Sequence, residues 1–277
     1  MKTLVDFCIV VPRERLTRLA DQIPLLTFHT IDREASVVAF PPEGFARGLK
    51  MLHERGFRAI SLCQVAECLR HKVAFPERTV TITFDDGYQS VYEQAFPVLQ
   101  QYNMPATIFL TVGPDRTRAE DTPFPTMNGR VMLNWCQVQE MQRYGIAMGA
   151  HTLNHPDLTR LHAQRQRAEI LNSKAIIEDR SGEPVTCFAY PFGRYDRQSY
   201  EIVREHFACA CTDRLQFVNL QSDVHLLERV DTYYLRNRPW NHLLSSSLLR
   251  WYVQLRRIPR NLRRAAFSAI PHLQFSS

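Results

Sequence analysis

The segment 79–90, TVTITFDDGYQS, joins an uninterrupted strand-like run to two adjacent acids. Residues 79–84 are all β-branched or aromatic and are bounded by turn-forming residues, which predicts a short buried β-strand. Asp85 and Asp86 follow this strand directly, and Gly87 allows the backbone to turn sharply. A simple turn would account for DDG alone, but it accounts poorly for a wholly apolar strand that leads into two acids. We therefore expect the end of this strand to carry function.

The rest of the chain alternates between strand-like and helix-like segments. Further strands are predicted at 24–31, 59–62, 106–111, 146–150, 186–191, 207–212 and 226–231, and helices at 41–57, 64–72, 88–103, 134–145, 158–182 and 197–206. Repeated β–α units favour a parallel sheet. For a chain of 277 residues, the prediction is an α/β fold, a distorted (β/α) barrel of seven parallel strands, rather than an open doubly wound sheet. No glycine-rich phosphate loop follows a predicted strand, which argues against a dinucleotide site.

Residues 113–131, GPDRTRAEDTPFPTMNGRV, interrupt this alternation. Their prolines, glycines and mixed charges predict a long loop. Because a long loop inside a compact domain is commonly functional, we expect it to form a lid or the wall of a cleft.

The positive charge is concentrated in a C-terminal tail, residues 235–277. Of the 34 Lys and Arg residues, eight arginines lie in this tail, which has no acid; the other 26 stand against 28 Asp and Glu in residues 1–234. We therefore divide the chain into a (β/α) barrel, 1–234, and a basic amphipathic helical tail, 235–277. An enzyme acting on nucleic acid would carry its basic residues around the site, so no nucleic-acid partner is expected.

The tail has two open interpretations. Either it lies as an interfacial helix on anionic lipid, which would give a peripheral membrane contact, or it packs on the barrel with its arginines in solvent. No segment has the ~18 consecutive apolar residues of a spanning helix. Asp6 interrupts the apolar N-terminal stretch and no cleavage site follows it, so we expect no signal peptide. These features predict a cytoplasmic location, at the membrane surface if the tail binds lipid.

Polar clusters follow three of the predicted strands: DDG, then HTLNHPD at 151–157, then PFGRYD at 191–196. In a (β/α) barrel the carboxyl ends of the strands meet at one rim, where active sites form. His151 and His155 have the spacing that lets two imidazoles reach one ion. With one carboxylate they would make a three-ligand set with an open position, typical of catalytic zinc. The neighbouring acid would stay free as a base, and a pair of surface or capping histidines is the alternative.

The stretches TFDDG, HTLNHPDL and FAYPFGRYD resemble the first three motifs of the polysaccharide deacetylases, carbohydrate esterase family 4, also called the nodulation-protein deacetylase domain. The resemblance covers about residues 24–231. It implies that Asp85 is the catalytic base and that the metal ligands are Asp86, His151 and His155. The metal is usually zinc, and cobalt or nickel fits the same ligands. The implied reaction is hydrolysis of an N-acetyl group from an N-acetylhexosamine unit of a polysaccharide.

The third motif implies the substrate side of the site. Pro191 and Phe192 match a Pro–aromatic pair in which the backbone N–H of the aromatic residue helps to hold the oxyanion. We take Tyr190, Pro191 and Arg229 as substrate-binding candidates. The family often has an arginine five residues before the proline, where this chain has Thr186. Arg229, in LERVD, is the candidate that would replace it and tune the base; a plain surface salt bridge is the alternative.

The general acid is the second departure from the family pattern. The family places a histidine late in the chain, but after Asp231 the histidines are His242 and His272, and neither follows a convincing strand. The segment LLTFHTI, however, is similar to the start of a circularly permuted subgroup that acts on poly-N-acetylglucosamine-like biofilm polymers. By this resemblance His29 would protonate the leaving amine. A hydrogen-bonded residue of the barrel rim is the alternative for His29.

The sequence therefore leaves three candidate functions. The first is a metal-dependent N-deacetylase of an exopolysaccharide or its precursor. The second keeps the same site but acts on a small amide. The third is a catalytically silent glycan-binding module, although such a module has no reason to retain Asp85.

Overall fold

The computed structural model describes residues 19–34, 36–236, 252–253 and 255–256, which form a closed barrel of parallel strands with helices around it. The strands are β1 Leu25–Phe28, β2 Thr79–Phe84, β3 Thr107–Leu110, β4 Ala147–Ala150, β5 Cys187–Ala189, β6 Cys209–Leu215 and β7 Leu227–Asp231. Each strand pairs in parallel with the next one along the chain, and β7 pairs with β1, which closes the ring. The predicted seven-stranded barrel is confirmed.

Six α-helices occur in the described residues: α1 Pro42–Glu54, α2 Leu62–His71, α3 Phe96–Gln101, α4 Trp135–Arg143, α5 Ala163–Ser181 and α6 Arg197–His206. Local sequence explains several of their ends. Ser61 and Asn134 each form a capping box with the glutamine three residues later, at the starts of α2 and α4. Gly182 ends α5 in the left-handed conformation that glycine adopts without penalty.

Short elements complete the described chain. Two-residue strands pair as Leu19–Ala20 with Phe75–Pro76, Gln22–Ile23 with Val218–Asn219, and Thr30–Ile31 with Ala39–Phe40, while Arg58–Ala59 lies beside β2 outside the ring. Single helical turns occur at Val91–Ala95, Leu158–Arg160, Pro191–Gly193 and Thr232–Tyr234.

Three predicted elements differ from the structure. The strand expected at 59–62 is only Arg58–Ala59, because Ser61 already caps α2. The helix expected at 88–103 begins as a π-helical turn and becomes α-helical at Phe96, because Pro97 fits only the first turn of a helix. The long helix expected from residue 158 begins at Ala163, after His162 caps its first turn.

The core has two layers that follow from strand alternation. Residues on one strand face, such as Leu26, Ile82 and Phe188, pack against the buried faces of the surrounding helices. Residues on the other face, such as Phe109 and Cys211, fill the barrel, and the apolar side of α2 closes its lower end. A filled barrel leaves the opposite rim, where the strands end, as the place for a cleft.

Some predictions fall outside the described residues. The basic tail is described only at residues 252–253 and 255–256, so its helical character, its membrane contact and the division at residue 235 stay predictions. Within the described chain, no helix is both long enough and apolar enough to cross a bilayer. The circular permutation also stays a prediction.

Candidate active site

The carboxyl ends of β2 and β7 bring Asp85 and Arg229 together. Both side chains are almost completely buried, and the guanidinium binds the carboxylate through two parallel hydrogen bonds, Nη1 to Oδ1 and Nη2 to Oδ2, each 2.7 Å. The Nε atom of Arg229 donates to the Thr212 carbonyl at 2.8 Å, which fixes the plane of the fork. Arg229 therefore forms a buried bidentate pair with the expected base, and a surface salt bridge is excluded.

This pair determines the charge state of Asp85. Burial alone would raise the pKa of Asp85, but the adjacent Arg229 charge and its hydrogen bonds hold that pKa well below its usual range. Burial acts against the charged form of Arg229, yet Asp85 raises the arginine pKa further above its ordinary value. Asp85 is consequently an ionised carboxylate at neutral pH.

His29 follows β1 and faces the same carboxylate. Its Nε2 atom lies 3.8 Å from Oδ2 of Asp85, and its side chain is 29% exposed. The ring therefore borders the cleft and is accessible to a ligand. The structure brings His29 and Asp85 together although 56 residues separate them in the chain.

Asp86, one residue after the base, meets the two histidines of the second motif. Its Oδ1 atom lies 3.5 Å from Nε2 of His151 and 3.4 Å from Nε2 of His155. The ligand atoms of all three residues lie within 4.8 Å of one another. These residues come from the end of β2 and from the β4–α5 connection, and together they form a group that can hold a metal ion.

The donor chemistry of this group fits a cation. Nδ1 of His151 lies 2.7 Å from the Ala189 carbonyl, so this nitrogen carries the proton and Nε2 presents a lone pair. Burial lowers the pKa of His151 and of His155 to about 4, which keeps both imidazoles neutral. Oδ1 of Asp86 is buried and has no hydrogen-bond partner among the described residues. Three acceptor atoms therefore converge without a donor, which is the environment a divalent cation satisfies.

The ligand-bearing turns use uncommon backbone geometry. Asp86, Thr152, His155 and Phe192 all have positive φ, at 74°, 70°, 54° and 57°. Such angles are uncommon for non-glycine residues and persist where the surrounding structure holds them. One restraint is local: the His155 N–H donates to the Thr152 hydroxyl at 3.0 Å.

The second restraint is Glu169, a residue that sequence reasoning missed. This carboxylate of α5 is 1% exposed and accepts from the backbone N–H groups of Leu153 and Asn154 at 3.1 and 3.0 Å, and from Asn154 Nδ2 at 2.8 Å. It therefore holds the turn between the two histidines. The available signal was an acid on the apolar side of a helix, beside the buried Ile170.

The third motif forms the wall nearest His155. The Phe192 ring lies 4.6 Å from the His155 ring, and Phe192 is 53% exposed. Pro191 is buried beneath it. Tyr190 borders the cleft, but its ring is buried against Phe188 and Tyr195 and its hydroxyl has no partner among the described residues.

A cleft of about 360 Å³ lies above these residues and is open to solvent. Its floor is the paired acids with the two motif histidines and Arg229. Val37, Val38, Met127 and Asn128 line one side, and Phe192 with Gly193 lines another. The long loop predicted at 113–131 thus contributes Met127 and Asn128 to the cleft.

The sequence and the fold of this chain are similar to those of several known proteins. Residues 72–207 match the family described as polysaccharide deacetylase. YxkH of Bacillus subtilis is 30% identical over 181 residues, 64% of this chain and 59% of that protein. The poly-beta-1,6-N-acetyl-D-glucosamine N-deacetylase of Staphylococcus epidermidis is 39% identical over 133 residues, 45% of this chain and 44% of that protein. IcaB from Ammonifex degensii has a TM-score of 0.64 at 27% identity, over 78% of this chain and 95% of that one. The chain spans less than two thirds of either curated relative.

Proposed function

We propose that this chain, of which residues 72–207 match the polysaccharide deacetylase family, is a metal-dependent hydrolase that removes N-acetyl groups from N-acetylhexosamine units of an exopolysaccharide or its precursor. One observation carries the proposal. The ligand atoms of Asp86, His151 and His155 lie within 4.8 Å of one another, and the adjacent residue, Asp85, offers a separate ionised carboxylate in the same cleft.

The cation would be held by Asp86, His151 and His155. Zinc suits this set of two imidazoles and one carboxylate best, and cobalt or nickel would also fit. When bound, such an ion would polarise the acyl oxygen and make a water molecule more acidic.

Asp85 acts as the general base. A carboxylate has about four lone-pair positions, and Arg229 uses two of them, so the remaining ones can accept a proton from water. The depressed pKa keeps Asp85 ionised, and therefore without a proton of its own, throughout the neutral range. Arg229 also fixes the orientation of the carboxylate, and any direct contact of Arg229 with substrate would be secondary.

His29 acts as the general acid. An amide nitrogen leaves poorly without a proton, so a donor has to lie on the leaving-group side of the cleft. His29 Nε2 is 3.8 Å from Asp85 Oδ2 and its side chain is 29% exposed, so the ring borders the cleft beside the proposed base. This contact supports the acid role over that of a rim residue.

The third motif would orient the substrate. The backbone N–H of Phe192 would donate to the oxyanion, and the exposed Phe192 ring would lie against a sugar face. Tyr190 lines the cleft with its ring buried, whereas Pro191 is buried outside the lining and would support Phe192.

An N-acetylated polymer fits the cleft better than a small amide. The cleft is open to solvent, and its lining includes the exposed side chains of Phe192 and Val37. A chain can therefore pass across the ligand group, whereas a small-amide site would be closed around its ligand.

Acetate release from N-acetylglucosamine oligomers tests the proposal. The wild type should release acetate, and Asp85→Asn should lose nearly all of that activity because amide oxygen and nitrogen are poor bases. Asp179→Asn, an exposed acid of α5, is the matched control and should behave as the wild type.

Two other outcomes would redirect the assignment. Acetate release from a small amide but not from oligomers would favour the small-substrate enzyme. Oligomer binding with a filled metal site and no release from any amide would favour the silent glycan-binding module.

A further inference from the structure

The walls of the cleft come from two separate segments. Val37 and Val38 belong to residues 32–38, between Thr30–Ile31 and Ala39–Phe40, while Met127 and Asn128 belong to the end of the long loop. These segments lie some 90 residues apart in the chain. Their relative position sets the width of the cleft beside the ligand group.

The long loop presents a firmly held turn. MNGR, residues 127–130, forms a hairpin turn in which Asn128 and Gly129 both have positive φ, 52° and 69°, as an Asn-Gly turn requires. Beyond the turn, Gln89 N–H donates to the Val131 carbonyl at 3.1 Å and Leu133 N–H donates to the Gly87 carbonyl at 2.9 Å. The turn is thereby tied to the DDGY segment of the site.

Residues 32–34 and 36–38 are the described part of the 32–38 segment. Within it, Glu34 N–H donates to Asp32 Oδ1 at 2.9 Å, and the Ser36 carbonyl accepts from Ala39 N–H at 3.3 Å and from Arg236 Nη1 at 2.9 Å. The backbone of the segment is hydrogen-bonded at its ends, through Thr30 N–H to the Val38 carbonyl and Asp32 N–H to the Phe40 carbonyl. Val37 projects into solvent with 75% of its surface exposed. Its position therefore depends on contacts with neighbouring elements.

Arg130, the last residue of the MNGR turn, supplies three of those contacts, in addition to the Arg236 hydrogen bond. Its Nη1 atom donates to Oδ2 of Asp32 at 2.5 Å and lies 3.0 Å from Oε2 of Glu34, and its Nη2 atom lies 3.5 Å from the Ser36 hydroxyl. The Arg130 side chain is 16% exposed and that of Asp32 is 30% exposed, whereas Glu34 is 75% exposed. The Arg130–Asp32 pair is thus the shielded part of the contact, and the Glu34 interaction is screened by water.

We propose that Arg130 is a positioning residue that joins the 127–130 turn and the 32–38 segment into one wall, and that this wall aligns the sugar chain across the site. The inference rests on the proposed function. Arg130 does not line the cleft itself, so it acts through Val37, Val38, Met127 and Asn128. Loss of the pair should weaken binding equally in the ground state and the transition state, which raises KM and leaves kcat nearly unchanged.

Steady-state kinetics on N-acetylglucosamine oligomers of increasing length test this inference. Arg130→Met should raise KM for a pentamer by about tenfold with kcat within about twofold, and it should raise KM for the dimer less, because a shorter chain uses less of the wall. Arg118→Met, in the same loop, is the matched control; its guanidinium contacts the Pro123 carbonyl and lies outside the cleft lining.

Exchanging the charges of Arg130 and Asp32 distinguishes the loss of this ion pair from a general loss of folding. Asp32→Asn should reproduce the Arg130→Met effect, and Arg130→Asp combined with Asp32→Arg should recover most of the pentamer KM. An unchanged pentamer KM in both single variants, or an equal fall in kcat for every chain length, would overturn the inference. If the wild type releases no acetate from any oligomer, the proposed function fails instead, so the two failures are distinguishable.

Discussion

Asp85 and Asp86 are neighbours in the chain, and both are 4% exposed, yet their surroundings are opposite. Both oxygens of Asp85 accept from the Arg229 guanidinium, whereas Oδ1 of Asp86 faces two neutral imidazoles and has no donor among the described residues. Burying an unpaired charge is costly, so a fold tolerates it where something else neutralises it. We call the Asp85–Arg229 pair the base side and the group of Asp86, His151 and His155 the ligand side. The charge of the base side is neutralised within the protein, whereas the charge of the ligand side is left for a cation to neutralise.

The same contrast appears in the titration of the two acids. Burial raises the pKa of Asp86, because the nearby histidines lower it too little to compensate. Burial acts in the same direction on Asp85, but Arg229 reverses it. Without a cation the ligand side is therefore the less stable half of the rim, and the base side is stable on its own.

Metal removal should give the largest effect. Treatment with a chelator, or His155→Gln, should lower acetate release by about a thousandfold or more, because the cation supplies several kcal/mol of transition-state stabilisation. Added zinc should restore the chelated wild type but not the variant. His71→Gln, an exposed histidine at the opposite end of the barrel, is the control and should keep full activity.

The melting temperature provides a second measurement of this prediction. An ion present at ~1,000 times its dissociation constant should stabilise the fold by about 4 kcal/mol, so the chelated protein should melt at a lower temperature. Full activity and an unchanged melting temperature after exhaustive chelation would contradict the assignment of the ligand side.

Breaking the Asp85–Arg229 pair should give the second largest effect. Arg229→Gln leaves the Asp85 charge buried without its partner, which should destabilise the fold by about 3–5 kcal/mol. The double variant Arg229→Gln, Asp85→Asn should be more stable than Arg229→Gln alone, because no buried charge remains. Urea denaturation of the two variants checks this, and equal stability of both would contradict the ion pair.

The pH profile of the same variant has a defined sign. In the wild type the pKa of Asp85 is depressed, so the stabilisation from the pair is present above the unfolded value near pH ~4 and is lost as the pH falls through the lower folded value. Without Arg229, burial raises the Asp85 pKa. The acid limb of kcat/KM should therefore move to higher pH in Arg229→Gln, and an unmoved limb would count against Asp85 as the base.

Much of the contrast between Asp85 and Asp86 could be predicted from the sequence, because it depends on residues that are close together in the chain. The strand at 79–84 and the helix at 197–206 match their predicted bounds. The chemistry-bearing residues follow directly after strands, and parallel strands bring their ends to one rim. The two histidines and one of the paired acids could therefore be grouped without coordinates, and the family resemblance implied that this acid is Asp86.

The remaining parts depend on contacts between distant segments. Arg229 was only one candidate partner for Asp85, 144 residues away, because nothing local indicates which strand lies opposite. Arg130 and Asp32 are 98 residues apart and carry no motif. Glu169 lies within a predicted helix, and helical periodicity alone does not indicate which of its acids is buried. Such pairs become visible only when the barrel closes.

Glu169 tests whether the ligand side depends on its support from α5. Glu169→Gln keeps the size of the side chain but replaces one acceptor oxygen with an NH₂ group that faces backbone donors. We expect metal affinity to fall by about 10–100-fold, as is usual when a residue that orients a ligand is changed. Competition with a chromogenic chelator measures this without any substrate. Glu205→Gln, an exposed acid of α6, is the control, and an unchanged dissociation constant in Glu169→Gln would contradict the role.

Tyr190 should give the smallest effect and sharpens the comparison from outside the ligand group. Its hydroxyl, like Oδ1 of Asp86, is buried without a hydrogen-bond partner among the described residues. It lies outside the Asp86, His151 and His155 ligand group, however, and its ring packs against Phe188 and Tyr195. An unpaired buried hydroxyl is unfavourable, so Tyr190→Phe should leave stability unchanged or raise it by about 1 kcal/mol. It should also leave KM for oligomers unchanged, because Tyr190 shapes the cleft floor without using its hydroxyl. A several-fold rise in KM would mean that substrate contacts this oxygen. Both buried polar atoms without a hydrogen-bond partner at this rim, the Tyr190 hydroxyl and Asp86 Oδ1, would then be ligand-binding atoms.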